Sequence, residues 1–544
     1  MNRSRSARSD RSNTAAGSDF LQLDAGEAPP GGIADWLALR LRGAIAEGLL
    51  PVGSRLPATR VLAADLRVSR GVVTEAYRRL AEDGHVAGRG RAGTVVVAVP
   101  PAVPEIPPGA PPYGRPPGAP PYGRPRPAAR TPARSGGEAA SPAGPFAGAP
   151  GDDVFEVMRA LPARIDLSPG LPDLAAFPRA AWLRAERAVL AGLPSTGFGY
   201  GDPRGAPELR RAVANWLARN RGIRADPDEV LIVSGTAQAL GLFARVLTAR
   251  GLREVAVEDP GSLGARQHLL HWGLRTPPIP VDDDGVRADL LLARGAPAVL
   301  LTPAHQFPTG VVLSGARRRA LMRWAGEGGL IIEDDYDAEH RYDRPPVPAL
   351  RSVLPDRVWY AGSASKLLAP ALRVGWVLVP REHHDDLVAA KRFADLGNAV
   401  LPQLVLARLM ESGELERHLR FLRRRHRRRR DAMIGAIRAH LPGALVHGAA
   451  AGLHLTITFE HGPGDVELAA AALERGIKVH PLSWHAQRPG RPGLVLGYAA
   501  SPPTAITEAI AVLGELLSPA PPRRAAPRWH HGLAFPEHGG LRNG

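Results

Sequence analysis

"WYAGSASKLLAPALRVGW", residues 359–376, holds one of only three lysines in a chain of 544 residues; the remaining sixty-six basic side chains are arginine. An apolar run leads in ("VWYAGSAS"), small and hydroxylated residues surround the lysine, and a second apolar run ("VGWVLVP") leads out. The pattern predicts two buried strands, with the lysine between them at a polar sheet edge. The amine matters there, because a guanidinium cannot be deprotonated in a protein and so cannot add to a carbonyl, whereas a lysine of lowered pKa can.

Outward from this stretch, between about 165 and 380, the runs "VLIVSG", "VAVEDP", "AVLLTPAH" and "LIIEDDYD" alternate with helical patterns. Near-continuous apolar strands joined by helices predict a mostly parallel sheet covered on both faces, an α/β domain. Ligands of such sheets bind at the carboxyl ends of the strands, where Ser234, Asp259, His305, Asp334, Ser363 and Ser365 gather. Residues from about 395 to 515 add long helical patterns, the strands "GLHLTITF" and "GLVLGY", and a last amphipathic helix, which predicts a smaller α+β part packed on the first.

The expected divisions are a disordered basic tail at 1–28, a compact basic domain at 29–99, a Pro/Gly/Ala-rich linker at 100–160, the α/β and α+β parts together at 161–517, and a disordered tail at 518–544. Within the linker "PPGAPPYGR" stands twice in tandem, at 107–115 and 116–124; such a segment buries no core and reads as a semi-extended polyproline spacer.

A net charge of +16 makes an acidic polymer, nucleic acid first, the expected partner. The absence of cysteine excludes disulfides, thiolate metal sites and cysteine nucleophiles. With no run of about 18 apolar residues, the expectation is a cytoplasmic protein without membrane attachment.

In the basic domain, "IADWLALRLRGAIAEGLL" predicts a first helix, "ATRVLAADL" a second, and "RVSRGVVTEAYRRLAEDG" a third capped by Ser69. "HVAGRGRAGTVVVAV" then reads as a glycine-kinked hairpin, completing a winged helix-turn-helix. Residues 28–97 hold ten arginines against six carboxylates, a balance of +4, so arrangement rather than charge argues for DNA. The outward residues are Ser69, Arg70 and Thr74 on the third helix and Arg89 and Arg91 at the hairpin tip, where phosphates and base edges would lie. "GSRLPATRVLAADLRVSRGVVTEAYRRLAEDGHVAGRGRAGT" resembles the GntR family of bacterial regulators, which implies contacts with double-stranded operator DNA at Arg60, Ser69, Arg70, Thr74 and the wing around Arg89 to Arg91.

At the sheet edge, a lysine amine, a carboxylate, hydroxyls and a helix N-terminus are what a phosphorylated aldehyde cofactor requires. Lys366 supplies the amine, and the helix start after "SGTAQ" (Gly235, Thr236, Ala237) suits a phosphate, with Ser363, Ser365 and Arg373 as further donors. Asp334 can hold a pyridine nitrogen protonated, and Tyr336 can donate to the ring oxygen. Acidic clusters such as "IIEDDYDAEH" also bind magnesium in phosphate-transferring enzymes, but no G-x-x-x-x-G-K-[ST] occurs, and no metal is assigned.

The pieces "YGDPRGAPELRRAVANWL", "SGTAQAL", "EDPGS", "HQFPTG", "EDDYD" and "SASKLLAPALRVGW" resemble, in order, the fold-type-I pyridoxal-phosphate-dependent aminotransferases. Joined to a GntR-like reader, the whole resembles the MocR type of transcriptional regulator. The resemblance implies that Lys366 condenses with pyridoxal 5'-phosphate, that Asp334 pairs with its ring nitrogen, that Tyr200 reaches the phosphate of a neighbouring subunit, and that the assembly is a head-to-tail homodimer.

Three positions depart from the aminotransferase pattern. Ser262 replaces an aromatic that stacks on the cofactor, Phe307 replaces the asparagine that bonds the ring oxygen, and Val495 replaces an arginine for the substrate carboxylate, with Arg491 a nearby substitute. These departures favour a DNA-binding regulator whose aminotransferase-like domain senses pyridoxal phosphate or an amine or amino-acid effector. The alternative is a working aminotransferase carrying a DNA-binding domain, and a third possibility is a cofactor-free scaffold. The run "FLRRRHRRRR", 421–430, reads as a charged helix face or as a second phosphate-contacting surface.

Overall fold

The computed structural model describes residues 17–18, 21, 23–29, 32–46, 49–82, 85–88, 93–97, 145–342 and 347–517. The linker repeats, the tail 518–544, and the wing tip with Arg89 and Arg91 lie outside the described residues.

The N-terminal domain is a three-helix unit with a two-stranded wing. Its helices Ile33–Ala46, Thr59–Asp65 and Arg70–Glu82 precede the antiparallel pair Val86–Gly88 and Thr94–Val96. Leu37, Leu41 and Ile45 on the first helix meet Val73, Ala76, Tyr77 and Leu80 on the third, and all are buried in one core. Folded structure begins before residue 29, correcting the boundary of the disordered tail: Leu23 is buried in this same core, and Asp24 caps a short 3-10 turn by accepting from the Gly26 amide.

The larger domain carries an eight-stranded sheet in the order Leu231–Val233, Gly375–Leu378, Val358–Ser363, Leu330–Asp335, Ala298–Leu301, Ala256–Asp259, Pro278–Asp282, Gly285–Val286. Five of these run parallel in succession, from Val358–Ser363 to Pro278–Asp282; Gly375–Leu378 runs antiparallel to both its neighbours. Apolar cores on each side of the sheet bury it, which is why its strands read as unbroken apolar runs. A second unit follows, built on the long helix Glu414–His440, a four-stranded antiparallel sheet and the helix Pro503–Leu517.

The linker also ends earlier than residue 160. Residues 145–160 belong to the fold: Phe146 stacks on Trp484, and Val154 and Met158 pack with Leu263 and Trp484. A few apolar anchors suffice to order a segment whose composition is otherwise that of a linker.

Candidate cofactor site and nucleic-acid interface

The strands Val358–Ser363 and Gly375–Leu378 lie antiparallel with Ser363 opposite Gly375, and the turn between them presents Lys366 at the carboxyl edge of the sheet. The Lys366 amine donates to the carbonyl of Gly170, a residue 196 positions earlier whose φ of +76° suits glycine. Lys391 and Lys478 are tied to carboxylates, to Asp395 at 2.6 Å and to Asp166 at 3.4 Å. Among the described residues, Lys366 has no carboxylate within ion-pair range. Burial lowers its pKa from the ordinary 10.5, against the opposing charges of Asp337 and Asp334, and so favours the free-base amine.

Asp334 stands at the end of the neighbouring strand, in register with Ala361. Asp335 and Asp337 are buried, whereas Asp334, Tyr336 and Lys366 are only partly so, as expected of side chains that line a cleft. Burial, reinforced by the charge of Asp335, pushes the Asp334 carboxyl from 3.8 up to about 7; Thr236 and Lys366 pull the other way. A raised carboxyl pKa means that the folded state holds the proton more tightly than the unfolded chain, so stability contributed by this group falls as pH rises from 3.8 to about 7. Asp334→Asn should therefore gain thermal stability over unliganded wild type progressively across that window and level off above it, as read by melting curves at a series of pH values. A constant difference at all pH values would show that Asp334 titrates normally.

A third strand end, after Leu231–Val233, opens into the helix Thr236–Ala249. Gly235 has φ +87° and provides no side-chain cap, leaving the amides of the first turn available to an anion. A Cβ on Gly235 would lie 3.5 Å from Nη1 of Arg373 and 3.7 Å from Oγ of Ser363, within the space that these donors enclose. Ser363 and Ser365 share a hydroxyl hydrogen bond of 2.9 Å. Arg373, itself in the left-handed region at φ +51°, donates to the Ser234 carbonyl. Sequence reading overlooked Asn398, whose amide donates to Ser234 Oγ at 2.9 Å and to the Arg373 carbonyl at 3.2 Å, fixing both walls of the cradle. The Thr236 hydroxyl differs from expectation: it turns to Asp334 at 3.4 Å rather than into the cradle, leaving its backbone amide to face an anion.

Tyr336 is held as a neutral phenol, its pKa raised well above the usual value by burial. Its hydroxyl donates to the His305 carbonyl at 3.2 Å, a bond it must exchange to reach a ring oxygen. His305 Nδ1 lies 3.0 Å from Asp337, and His305, Asp337 and His454 bring ligand-type atoms within 4.8 Å of one another. Burial opposes ionisation of Asp337, yet His305 and then His454 and His340 hold its carboxyl below the usual value, so a negative charge sits beside Lys366. No sequence motif announced this cluster, because its members come from three separate loops and strands.

Not every strand-end residue joins the site. Asp259 is engaged by Arg488 at 2.7 Å and by the Gln487 amide. Ser262 caps the helix Leu263–His271 through Ala265. Phe307 stands edge-on to Tyr336, His454 and His485. Val495 is fully buried in the small sheet between Thr456 and His480, and Arg491 pairs with Glu460 on the surface.

The residues fit a phosphorylated pyridine aldehyde: an amine without a carboxylate partner, a carboxyl poised near neutrality, and a cradle that a Cβ would fill. The comparisons agree. Residues 163–513 match the family "Aminotransferase class I and II", whose members and solved neighbours are pyridoxal-phosphate-dependent enzymes, and residues 34–96 match "Bacterial regulatory proteins, gntR family". The "probable rhizopine catabolism regulatory protein MocR" of Rhizobium meliloti is 31% identical over 87% of this chain and 91% of its own length. The chain belongs to the MocR type of transcriptional regulator. A pyridoxine biosynthesis transcriptional regulator, PdxR, of Corynebacterium glutamicum is 28% identical over 90% of this chain and 97% of its own. Among solved structures, the Pyrococcus horikoshii kynurenine aminotransferase in complex with PMP superposes with a TM-score of 0.62 at 27% identity, covering 67% of this chain and 93% of that one.

The gntR-family domain of this MocR-type chain carries three of the residues expected to meet DNA on or just before its third helix, Arg70–Glu82. Arg60, Ser69, Arg70 and Thr74 are all exposed. Ser69 Oγ accepts from the Val72 amide at 3.4 Å, and Arg70 reaches Thr59 Oγ1 at 3.2 Å, which ties the two helices of the motif together. Within one turn beyond Thr74 on the same helix the chain meets the larger domain: Glu75 and Arg78 line a crevice with Asp283, Val311, Val312, Arg341 and Ala450. A Cβ on Gly315 would fall 1.9 Å from the Ala81 carbonyl oxygen, so this helix end touches the domain. No helix among the described residues is long and apolar enough to cross a membrane.

Proposed function

We propose that this regulator binds operator DNA through its winged helix-turn-helix and uses the aminotransferase-like domain to sense pyridoxal phosphate, or an amine that competes with Lys366 for it. The observation that carries this reading is the Lys366 site itself, an amine, a carboxyl and an anion cradle at one sheet edge, in the same chain as a gntR-family domain. When bound, the cofactor would supply an electrophilic aldehyde and an electron-poor ring. The chain's own residues would do the rest: Lys366 provides the amine, Asp334 holds a proton between itself and the ring nitrogen, Gly235, Ala237, Ser363, Ser365 and Arg373 orient the phosphate, and Tyr336 exchanges its bond to His305 for one to the ring oxygen.

The substrate side of the pocket favours sensing over turnover. Val495 and the surface-paired Arg491 leave no charge-assisted partner for a substrate carboxylate at either position, a loss of about 1.5–3 kcal/mol of binding. We expect steady-state transamination near background with a panel of amino and keto acids; robust turnover would overturn the sensor reading in favour of an active aminotransferase.

A homodimer completes the proposal. Tyr200 is 97% exposed and Phe393 77%, with Phe198 and Leu396 beside them in sequence also exposed. These residues adjoin the cradle, since Asp395 bonds Gln238 of its helix at 2.6 Å and Gly397 packs against Asp202 and Pro203. A partner seated head-to-tail there would cover the apolar surface and bring its own Tyr200 toward the phosphate. Operator binding would have the regulator act in the cytoplasm.

A further inference from the structure

The long helix Glu414–His440 carries the arginine run, and burial divides that run in two. Leu422, His426 and Arg429 face the core, and Arg425 and Arg429 grip Asp173 at 2.7 and 2.8 Å, bracing the loop that brings Gly170 to Lys366. Arg417, Arg420, Arg424, Arg427 and Arg428 face solvent. Arg417 reaches Glu414 at 3.6 Å, whereas Arg420, Arg424, Arg427 and Arg428 make no ion pair or hydrogen bond among the described residues. An ordinary solvated face mixes signs. Here like charges at spacings of three and four each cost about 0.2–0.5 kcal/mol, and the carboxylates at those spacings, Glu416 and Asp431, are engaged by Arg219 and Arg430 instead.

We propose that these four arginines form a second DNA-binding surface that contacts the phosphate backbone flanking the operator; this rests on the DNA-binding reading of the N-terminal domain. From Arg420 to Arg428 the helix rises about 12 Å. Duplex DNA presents a phosphate on each strand about every 3.4 Å along its axis, so the stripe matches on the order of three or four phosphates. Guanidinium groups bind phosphate bidentately, without reading sequence. The C-terminal end of the stripe also lies near the N-terminal domain. Arg430, two residues beyond it, donates to the Ala449 carbonyl at 3.0 Å, and Ala450 lines the crevice against the third helix of that domain.

The test uses the full-length protein and two duplexes: the shortest that retains sequence-specific binding, and the same core extended by about one helical turn, roughly 10 bp, on each side. Affinity is measured over a salt series for wild type, for the quadruple variant Arg420→Gln, Arg424→Gln, Arg427→Gln and Arg428→Gln, and for Arg70→Ala. The quadruple variant should match wild type on the short duplex and, on the extended one, lose about 2–4 from the slope of log affinity against log salt, at about 0.9 per contacted phosphate. An unchanged slope on the extended duplex, with native circular dichroism, would overturn the second surface, as would an equal loss on both duplexes. Arg70→Ala should weaken binding to both; if it weakens neither, the recognition-helix assignment fails instead.

Discussion

Lys366→Arg protein, incubated with pyridoxal phosphate and reduced with borohydride, is expected to return with no added mass, while wild type gains one cofactor per chain on the peptide containing residue 366. The substitution keeps a long, basic, hydrogen-bonding side chain but one that stays charged and cannot become a neutral nucleophile. The loss should therefore be complete rather than graded. The structure also supplies internal controls. Lys391 is held to Asp395 by contacts of 2.6 and 2.7 Å and Lys478 faces Asp166, so neither should carry the label. The variant should still bind operator DNA, since its gntR-family domain is untouched. Label on Lys391 or Lys478 in wild type would reassign the site.

The second large effect lies beneath the site. The side chains of Arg221 and Asp335 are each 1% exposed and meet at 2.5 Å, with the Tyr360 hydroxyl on the same carboxylate oxygen at 2.6 Å and the Val347 carbonyl on the guanidinium. Arg221→Ala would strand a buried carboxylate, a change that costs about 3–5 kcal/mol in such pairs. Removing both partners in Arg221→Ala/Asp335→Ala should cost less than the single substitution, because the carboxylate that Arg221 engages directly goes with it. Since Asp335 adjoins Asp334 in the strand and helps raise its pKa, the single variant should also weaken cofactor retention. Comparison of apparent Tm values for the two variants checks this, and a double variant less stable than the single one would contradict it.

What the sequence revealed follows from where its signals are local. The strands of the larger sheet are short apolar runs ending in small or charged residues, so Lys366, Asp334, Ser363 and Gly235 could each be placed at the sheet edge from their immediate neighbours. The winged helix-turn-helix was legible for the same reason, its helix periodicity and turns lying within one continuous segment. Gly170, Asn398 and the His305, Asp337 and His454 cluster were not assigned roles, because those depend on partners far away in the chain. The orientation of the Thr236 hydroxyl was likewise settled by a carboxylate 98 residues distant. The early boundaries at Leu23 and Phe146 escaped notice because single apolar anchors do not register against a polar or proline-rich background. In the arginine run, composition gave the charge, but only the burial pattern separated the arginines that grip Asp173 from those that face solvent.

The central claim is that capture of pyridoxal phosphate at Lys366 changes how this chain binds DNA. A ligand shifts a conformational equilibrium only through differential affinity for its states. The most direct measurement is operator affinity at fixed salt, with and without pyridoxal phosphate, for wild type and Lys366→Ala. The account predicts a shift in Kd for wild type and none for the variant. Superimposable wild-type curves, at cofactor concentrations that label Lys366 fully, would contradict it.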